Sequence, residues 1–236
     1  MEIVDIHSHV LPGVDDGAKD MAMTEQMIAA LYGQGVRTLF ATPHVSLRSR
    51  DDKAQRVQKA YEKVKEFVKE KYPDMKIVLG SEVYMEPGML ERIKKEPTLT
   101  MNETPYVLCE FSFGGAYRDM YALLQQLVRA RLKPVIAHVE RYSCLQGQWD
   151  LIEELREMGV LMQINAESLS GKMFDRRYKY GKALILADVI DFVGSDTHDM
   201  EGRKPLMDQA EKTIVKLVGK EKAECILCTN AQVFLK

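Results

Sequence analysis

Short apolar, often β-branched runs alternate along this chain with longer stretches in which apolar residues recur at helical spacing. That alternation predicts βα units around a parallel sheet. Seven runs read as strands, at 3–7, 37–42, 76–80, 106–111, 134–138, 161–165 and 190–195. Most are continuous rather than alternating, as expected of strands covered on both faces. Between them, Val57, Tyr61, Val64 and Val68 mark a helix over 52–71 with a charged outer face and Pro73 beyond its end. Met120, Leu123, Leu124, Leu127 and Val128 mark a second helix, Leu151, Ile152 and Leu155 a third, and Leu206, Ala210, Ile214 and Leu217 a fourth. No Gly/Ser-rich linker, internal repeat or low-complexity tract interrupts the series, so one domain over 1–236 is expected. Seven units suggest an α/β fold of the barrel kind, a closed or nearly closed (β/α)7 barrel one unit short of the usual eight. An open doubly wound sheet is the alternative.

Composition narrows the class of partner. Thirty-three Lys plus Arg against 35 Asp plus Glu give a net charge of −2. That balance argues against a chain built to coat nucleic acid or an anionic membrane, so any anion site must be local. The opening MEIVDIHSHV has no basic stretch followed by an apolar one, and no run approaches the ~18 apolar residues of a membrane span. The expectation is a cytoplasmic protein without membrane insertion. Its four cysteines are too few for a secreted disulfide framework. Cys225 and Cys228 form an isolated C-x-x-C with no second Cys or His pair nearby, and read better as buried thiols near a C-terminal helix than as a redox or zinc pair.

Barrels carry their chemistry where the strands end. The first run ends in His7-Ser8-His9 and leads to Asp15-Asp16-Gly17; His44 follows the second, Glu82 the third, Glu110 closes the fourth, His138 the fifth, and Asp196 and His198 follow the seventh. All five histidines of the chain fall at these ends. A lone histidine on an apolar run is usually a satisfied core residue, but five of five at strand ends are better explained by a metal centre. In extended backbone, residues i and i+2 point the same way, so His7 with His9, and Asp196 with His198, can each converge on one side.

Imidazole nitrogen and carboxylate oxygen without thiolate suit Mn, Fe, Zn or Co. His7, His9, Asp16, His44, Glu82, Glu110, His138, Asp196 and His198 exceed the needs of one ion and would serve two or three. Three divalent ions against the four carboxylates leave a charge of about +2, matched to a phosphate dianion, and phosphoester hydrolysis by metal-generated hydroxide follows. No cysteine begins the Cys-x5-Arg loop of a thiolate phosphatase, so no covalent phosphoenzyme is expected. Phe113, Tyr117 and Tyr142 are candidate walls for an aryl group, although packing is the commoner role of such residues.

The segments DIHSHVLPGVDDGA (5–18), ATPH (41–44), GSEVY (80–84), LCEF (108–111), PVIAHVERY (134–142), QIN (163–165) and SDTHD (195–199) span nearly the whole chain. Together they resemble the PHP (polymerase and histidinol phosphatase) superfamily, and within it the CpsB/YwqE-like bacterial metal-dependent tyrosine phosphatases. The resemblance implies a distorted seven-stranded (β/α)7 barrel, a TIM-barrel-like PHP domain holding three divalent ions, often manganese. It implies His7, His9, Glu82 and Asp196 as ligands of one ion, Glu82 bridging to a second with Glu110 and His138, and Asp16, His44 and His198 for the third. Arg141 matches an arginine that contacts the phosphoryl group, and Arg203 resembles a second. The loop 45–51, with Arg48 and Arg50, corresponds to a variable part of the family. The implied substrate is the phosphotyrosine-containing tail of a bacterial tyrosine kinase that regulates capsular or exopolysaccharide synthesis. The alternatives are a phosphatase for a small metabolite such as histidinol phosphate, and a non-catalytic metal-bound scaffold that docks on a kinase.

Overall fold

The computed structural model describes residues 1–49, 52–171 and 174–235. In chain order, β1 (Ile3–Asp5) leads through α1 (Met21–Gly33) to β2 (Val36–Ala41) and β3 (His44–Val45), and α2 (Lys53–Lys71) to β4 (Lys76–Leu79) and β5 (Glu82–Tyr84). Then come α3 (Met89–Lys95), β6 (Tyr106–Glu110), α4 (Tyr117–Arg129), β7 (Lys133–Ile136), α5 (Trp149–Glu157), β8 (Leu161–Asn165), α6 (Arg176–Leu186), β9 (Phe192–Gly194) and α7 (Met207–Glu224). The strands form a sheet of order β1-β2-β4 and another of order β3-β5-β6-β7-β8-β9, and every described pairing is parallel. Strand order follows chain order with no reversal, so there is no crevice of the doubly wound kind.

All seven expected strands are present, but the described residues hold nine strand segments rather than seven. Thr42 and Pro43 separate β2 from β3, and Gly80 and Ser81 separate β4 from β5. Proline has no N–H to give to a ladder, and Gly80 lies where an added Cβ would stand 2.8 Å from Met101 Sδ. Backbone bonds nevertheless run across both gaps, Gly80 N to Ala41 O at 2.9 Å and Glu82 N to Pro43 O at 3.2 Å. At the other margin Ser8 and Thr197 make a parallel bridge, with Asp196 N donating to His7 O at 2.8 Å. The whole is a curled parallel sheet whose first and last strands meet beyond their C-terminal ends.

Adjacent residues alternate between two apolar clusters, as a pleated strand requires. Val4, Ile6, Leu108, Val135 and Ala137 face one cluster, while Ile3, Val107, Cys109 and Ile136 face the cluster shared with the helices. Phe234 packs on the inner side against Phe40, Tyr106 and Phe192, with ring centroids 5.0–5.7 Å apart. The C-terminal residues therefore fill the end where the strands start, leaving the other end for polar groups. The expected helices are all found. Three others, α1, α3 and α6, lacked a clear amphipathic stripe. The first is set instead by its cap, where Asp20 accepts from Met23 N at 2.9 Å. Cys225 and Cys228 are half-buried on a π-turn that follows α7, less enclosed than expected. Among the described residues no helix is long and apolar enough to cross a membrane.

Candidate metal centre

Nine side chains from six strand ends and their following loops converge at the C-terminal end of the sheet. His7 and His9 extend β1, with Nε2 atoms 3.2 Å apart. Their approach depends on two glycines: a Cβ on Gly17 would collide with the His9 carbonyl and Cβ, and one on Gly194 with His7 Cβ. Glu82, at the start of β5, is fully buried in the middle of the cluster. Its Oε2 lies 3.2 Å from Nε2 of both His7 and His9 and 2.9 Å from His44 Nδ1, and its Oε1 lies 2.8 Å from His138 Nε2. Glu110 Oε2 stands 3.4 Å from His44 Nδ1. Asp16 Oδ1 stands 3.3 Å from His44 Nε2 and 3.5 Å from His198 Nε2. Asp196 Oδ1 stands 3.5 Å from Nε2 of both His7 and His9. Both His138 and Asp196 hold left-handed backbone, at φ of 36° and 50°. Such strain persists only where surrounding contacts enforce it, typically at working sites.

Sequence reading brought all nine residues to the right end of the fold, and missed the groups that aim them. Asp15 Oδ2 accepts from His9 Nδ1 at 2.9 Å and from His44 N at 3.0 Å. Gln163 Oε1 faces His7 Nδ1 at 3.1 Å and accepts from His138 N at 2.9 Å. His198 Nδ1 is 3.0 Å from the Asp196 carbonyl. In His7, His9 and His198 an acceptor thus holds Nδ1 and leaves Nε2 to the centre. The signals were present: a second aspartate in the Asp15-Asp16 pair, and two amides, Gln163 and Asn165, inside an otherwise apolar strand.

Two arginines border the cluster. Arg203 Nη2 donates to Asp196 Oδ2 at 2.6 Å, and Arg141 Nη1 lies 3.6 Å from the same oxygen. Arg141 also lies over the Phe113 ring, 4.2 Å from its centroid. Glu140, its neighbour and a conceivable surface partner, is instead buried and accepts from Ser168 Oγ at 2.7 Å and Asn165 N at 3.2 Å. Of the three aromatic candidates, Phe113 and Tyr142 both pack on the His138 ring, at 5.4 and 5.7 Å between centroids, but only Phe113 is exposed at the site's mouth. The Tyr142 hydroxyl is buried and accepts from Phe111 N, and the Tyr117 hydroxyl donates to Glu154. Arg48 and Lys53 flank the site beyond His44, while Arg50 and Asp51 lie outside the described residues.

The imidazoles and carboxylates of the cluster shift one another's pKa values. Burial disfavours the imidazolium of His44, but bonds to Glu110 and Glu82 outweigh it and raise its pKa to about 10. Burial likewise opposes charge on His7 and His9, and the carboxylates of Glu82, Asp196 and Asp15 override it, lifting both above the usual range. Burial would raise the Glu82 and Asp196 carboxyls, and the facing imidazoles hold both well below their ordinary values. The imidazole of His198 facing it at 3.5 Å brings Asp16 down to about 2, while burial keeps His198 itself below its ordinary value.

The donor set fits divalent ions. Glu82 Oε2, Asp196 Oδ1 and His198 Nε2 are buried, face only other members of the cluster and make no well-formed hydrogen bond, a costly condition that metal coordination relieves. Among the described residues, ligand atoms lie within 4.8 Å of one another in three overlapping groups: His9, Asp16, His44 and His198; His7, His9 and Glu82; and His44, Glu82 and Glu110. His138 and Asp196 adjoin these groups through Glu82 and through His7 and His9.

Residues 3–236 match the family described as capsular polysaccharide synthesis, CpsB/CapC. The chain is 34% identical to tyrosine-protein phosphatase CpsB of Streptococcus pneumoniae over 233 residues, 97% of this chain and 96% of that protein. It is 33% identical to tyrosine-protein phosphatase YwqE of Bacillus subtilis over 236 residues, covering 99% and 92%. Its backbone superposes with a TM-score of 0.88, at 31% identity and 99% and 94% coverage, on a chain from the crystal structures of YwqE and CpsB, described as metal-dependent tyrosine phosphatases. A zinc-, histidinol- and phosphate-bound histidinol phosphate phosphatase from Lactococcus lactis shares the fold at a TM-score of 0.60 and 12% identity, covering 93% and 95%.

Proposed function

The chain belongs to the CpsB/CapC family of capsular polysaccharide synthesis, and from that premise we infer that it is a metal-dependent protein-tyrosine phosphatase. The observation that carries the reading is the clustering of nine nitrogen and oxygen ligands beside two arginines that share Asp196. We read the nine strand segments as one distorted seven-stranded barrel of a single domain, in which β2 with β3 and β4 with β5 each count as one interrupted strand.

Three divalent ions, manganese by family likeness, are assigned to the cluster. His7, His9, Glu82 and Asp196 would hold one; Glu82, Glu110 and His138 a second; and Asp16, His44 and His198 the third. Such ions supply positive charge to a phosphoryl group and make water nucleophilic at neutral pH. The protein's own share is to orient and to select. Asp15 and Gln163 keep the Nε2 atoms of His9 and His7 turned inward. Arg141 and Arg203 present guanidinium forks at the mouth, suited to two phosphoryl oxygens and able to follow charge as it develops. The thiols take no part in this reading. Cys109 is buried with its pKa pushed up, burial also raises those of Cys144 and Cys228, and none of the four cysteines is in the ligand cluster.

The substrate assigned is phosphotyrosine on a cytoplasmic bacterial tyrosine kinase that governs polysaccharide synthesis. Phosphate release by the purified, manganese-supplied protein from phosphotyrosine peptides and from histidinol phosphate, measured in parallel, tests it. Clear preference for the peptides is expected. Preference for histidinol phosphate would reassign the substrate, and no release from either would leave only a metal-bound scaffold.

A further inference from the structure

A cavity of about 980 Å³ opens directly off the metal centre and shares His44 and Glu110 with it. Its apolar lining includes Val45, Met85, Phe111, Met120 and Leu123. This volume lies at the upper end of the roughly 300–1,000 Å³ typical of sites that enclose a whole small molecule. One phenyl ring does not fill it, so there is room for the residues beside a phosphotyrosine.

The charged groups of this cavity are unevenly committed. Glu86 is occupied, its Oε1 accepting from Leu47 N at 2.9 Å. Asp119 is exposed on α4, 3.7 Å from Arg118. Arg48, between β3 and α2, and Lys53, the first residue of α2, make no hydrogen bond or ion pair among the described residues. Arg48 is exposed, but Lys53 is half-buried, and burial lowers the pKa of its ammonium. A cation partly removed from water gains from an anion brought to it far more than a solvated one does. The nearest attractions on Lys53 come from Asp15 and Asp16 and do not offset its burial; the arginines that suit the phosphoryl group stand elsewhere, at Asp196, which leaves Lys53 open to an anion on another part of a substrate.

Resting on the phosphotyrosine reading above, we propose that this cavity binds the peptide residues flanking the phosphotyrosine and that Lys53 selects an acidic side chain among them. Apolar contacts from Met85, Phe111 and Met120 hold the chain, and Lys53 sets the preference. Lys53 is thus a specificity residue rather than a catalytic one.

The test uses manganese-loaded protein and three matched sets of phosphotyrosine hexapeptides carrying Glu, Ala or Lys at each flanking position in turn. Wild type should show higher kcat/KM for Glu over Ala at one position. In Lys53→Gln that ratio should fall roughly five- to twentyfold, the scale of a half-buried charge-assisted contact. Lys53→Glu should reverse the preference towards Lys. Absence of a Glu preference in wild type, or a ratio unchanged in both variants, overturns the proposal. A uniform loss on all peptides at constant ratio places Lys53 at the phosphoryl group and also overturns it. Failure of wild type to release phosphate from any of the peptides removes the phosphatase reading itself, and the proposal with it.

Discussion

Arg203 Nη2 donates to Asp196 Oδ2 at 2.6 Å while the other oxygen of that carboxylate faces His7, His9 and His198. One side chain therefore links the histidine cluster to the two arginines. Asn165 Nδ2 donates to the same Oδ2 at 2.6 Å, and Arg141 approaches it to 3.6 Å. Because the two arginines share an acceptor, removing both should differ from the sum of removing each. A double-mutant cycle on kcat/KM with Arg141→Ala and Arg203→Ala should give a coupling of about 0.5 kcal/mol or more. Strict additivity would separate their roles.

Arg141 is no metal ligand and stacks on Phe113 at the mouth. Arg141→Ala should keep metal content and fold while losing about 2–4 kcal/mol of transition-state stabilisation, roughly 30- to 1000-fold in rate. Arg141→Lys should be impaired too, since an ammonium cannot reproduce the planar fork or the stack. Metal analysis beside turnover checks this: near-normal rates in Arg141→Ala would remove it from the site.

Asp15 and Gln163 hold the Nδ1 atoms of His9 and His7. Asp15→Asn and Gln163→Leu should each weaken metal binding by roughly 10- to 100-fold, the usual cost of losing such a partner. Competition against a chromogenic chelator reads this without recourse to activity, and unchanged affinity would make both groups dispensable.

The pH dependence of the metal-stripped protein follows from His44, whose pKa rises to about 10 in the fold, against about 6.5 when unfolded. Stabilisation from its ion pairs is therefore complete below pH ~6.5 and is lost as pH rises through 10. Thermal melts of chelated protein should fall across that window. Metal uptake near pH 7 should release protons, because imidazolium must become imidazole to bind. Calorimetry in buffers of different ionisation enthalpy measures the number released.

Replacing all four cysteines with Ala or Ser should leave the chemistry intact, although Cys109 is fully buried and its loss will cost some stability. Activity per folded molecule is the quantity to compare. A loss above about a hundredfold, ~2.7 kcal/mol of barrier, would point to a thiolate.

The sequence by itself determined the parallel α/β character and the nine metal-ligand candidates, while its resemblance to a known family singled out the two arginines. The first two conclusions rest on local patterns: apolar runs long enough to be strands, polar residues confined to their C-terminal ends, and H-x-H and D-x-H spacing that extended backbone turns to one side. Tertiary structure decided the rest. The sequence pattern ends two strands at Thr42 and Gly80, and only the fold shows that parallel pairing resumes beyond Pro43 and Ser81, because that depends on which backbone lies opposite. The partners of Asp15, Gln163 and Asn165 are far away in the chain or set by loop geometry, so an amide in a strand could be marked as unusual but not assigned to a histidine. Tyr117 and Tyr142 looked equivalent to Phe113 in the sequence. Only packing shows that their hydroxyls are engaged elsewhere and that Phe113 alone of the three lies under Arg141. Lys53 lies at the end of a charged helix and carried no mark of its own. Its position beside a cavity, half-buried and without an ion pair among the described residues, exists only once α2 is laid against the strand ends.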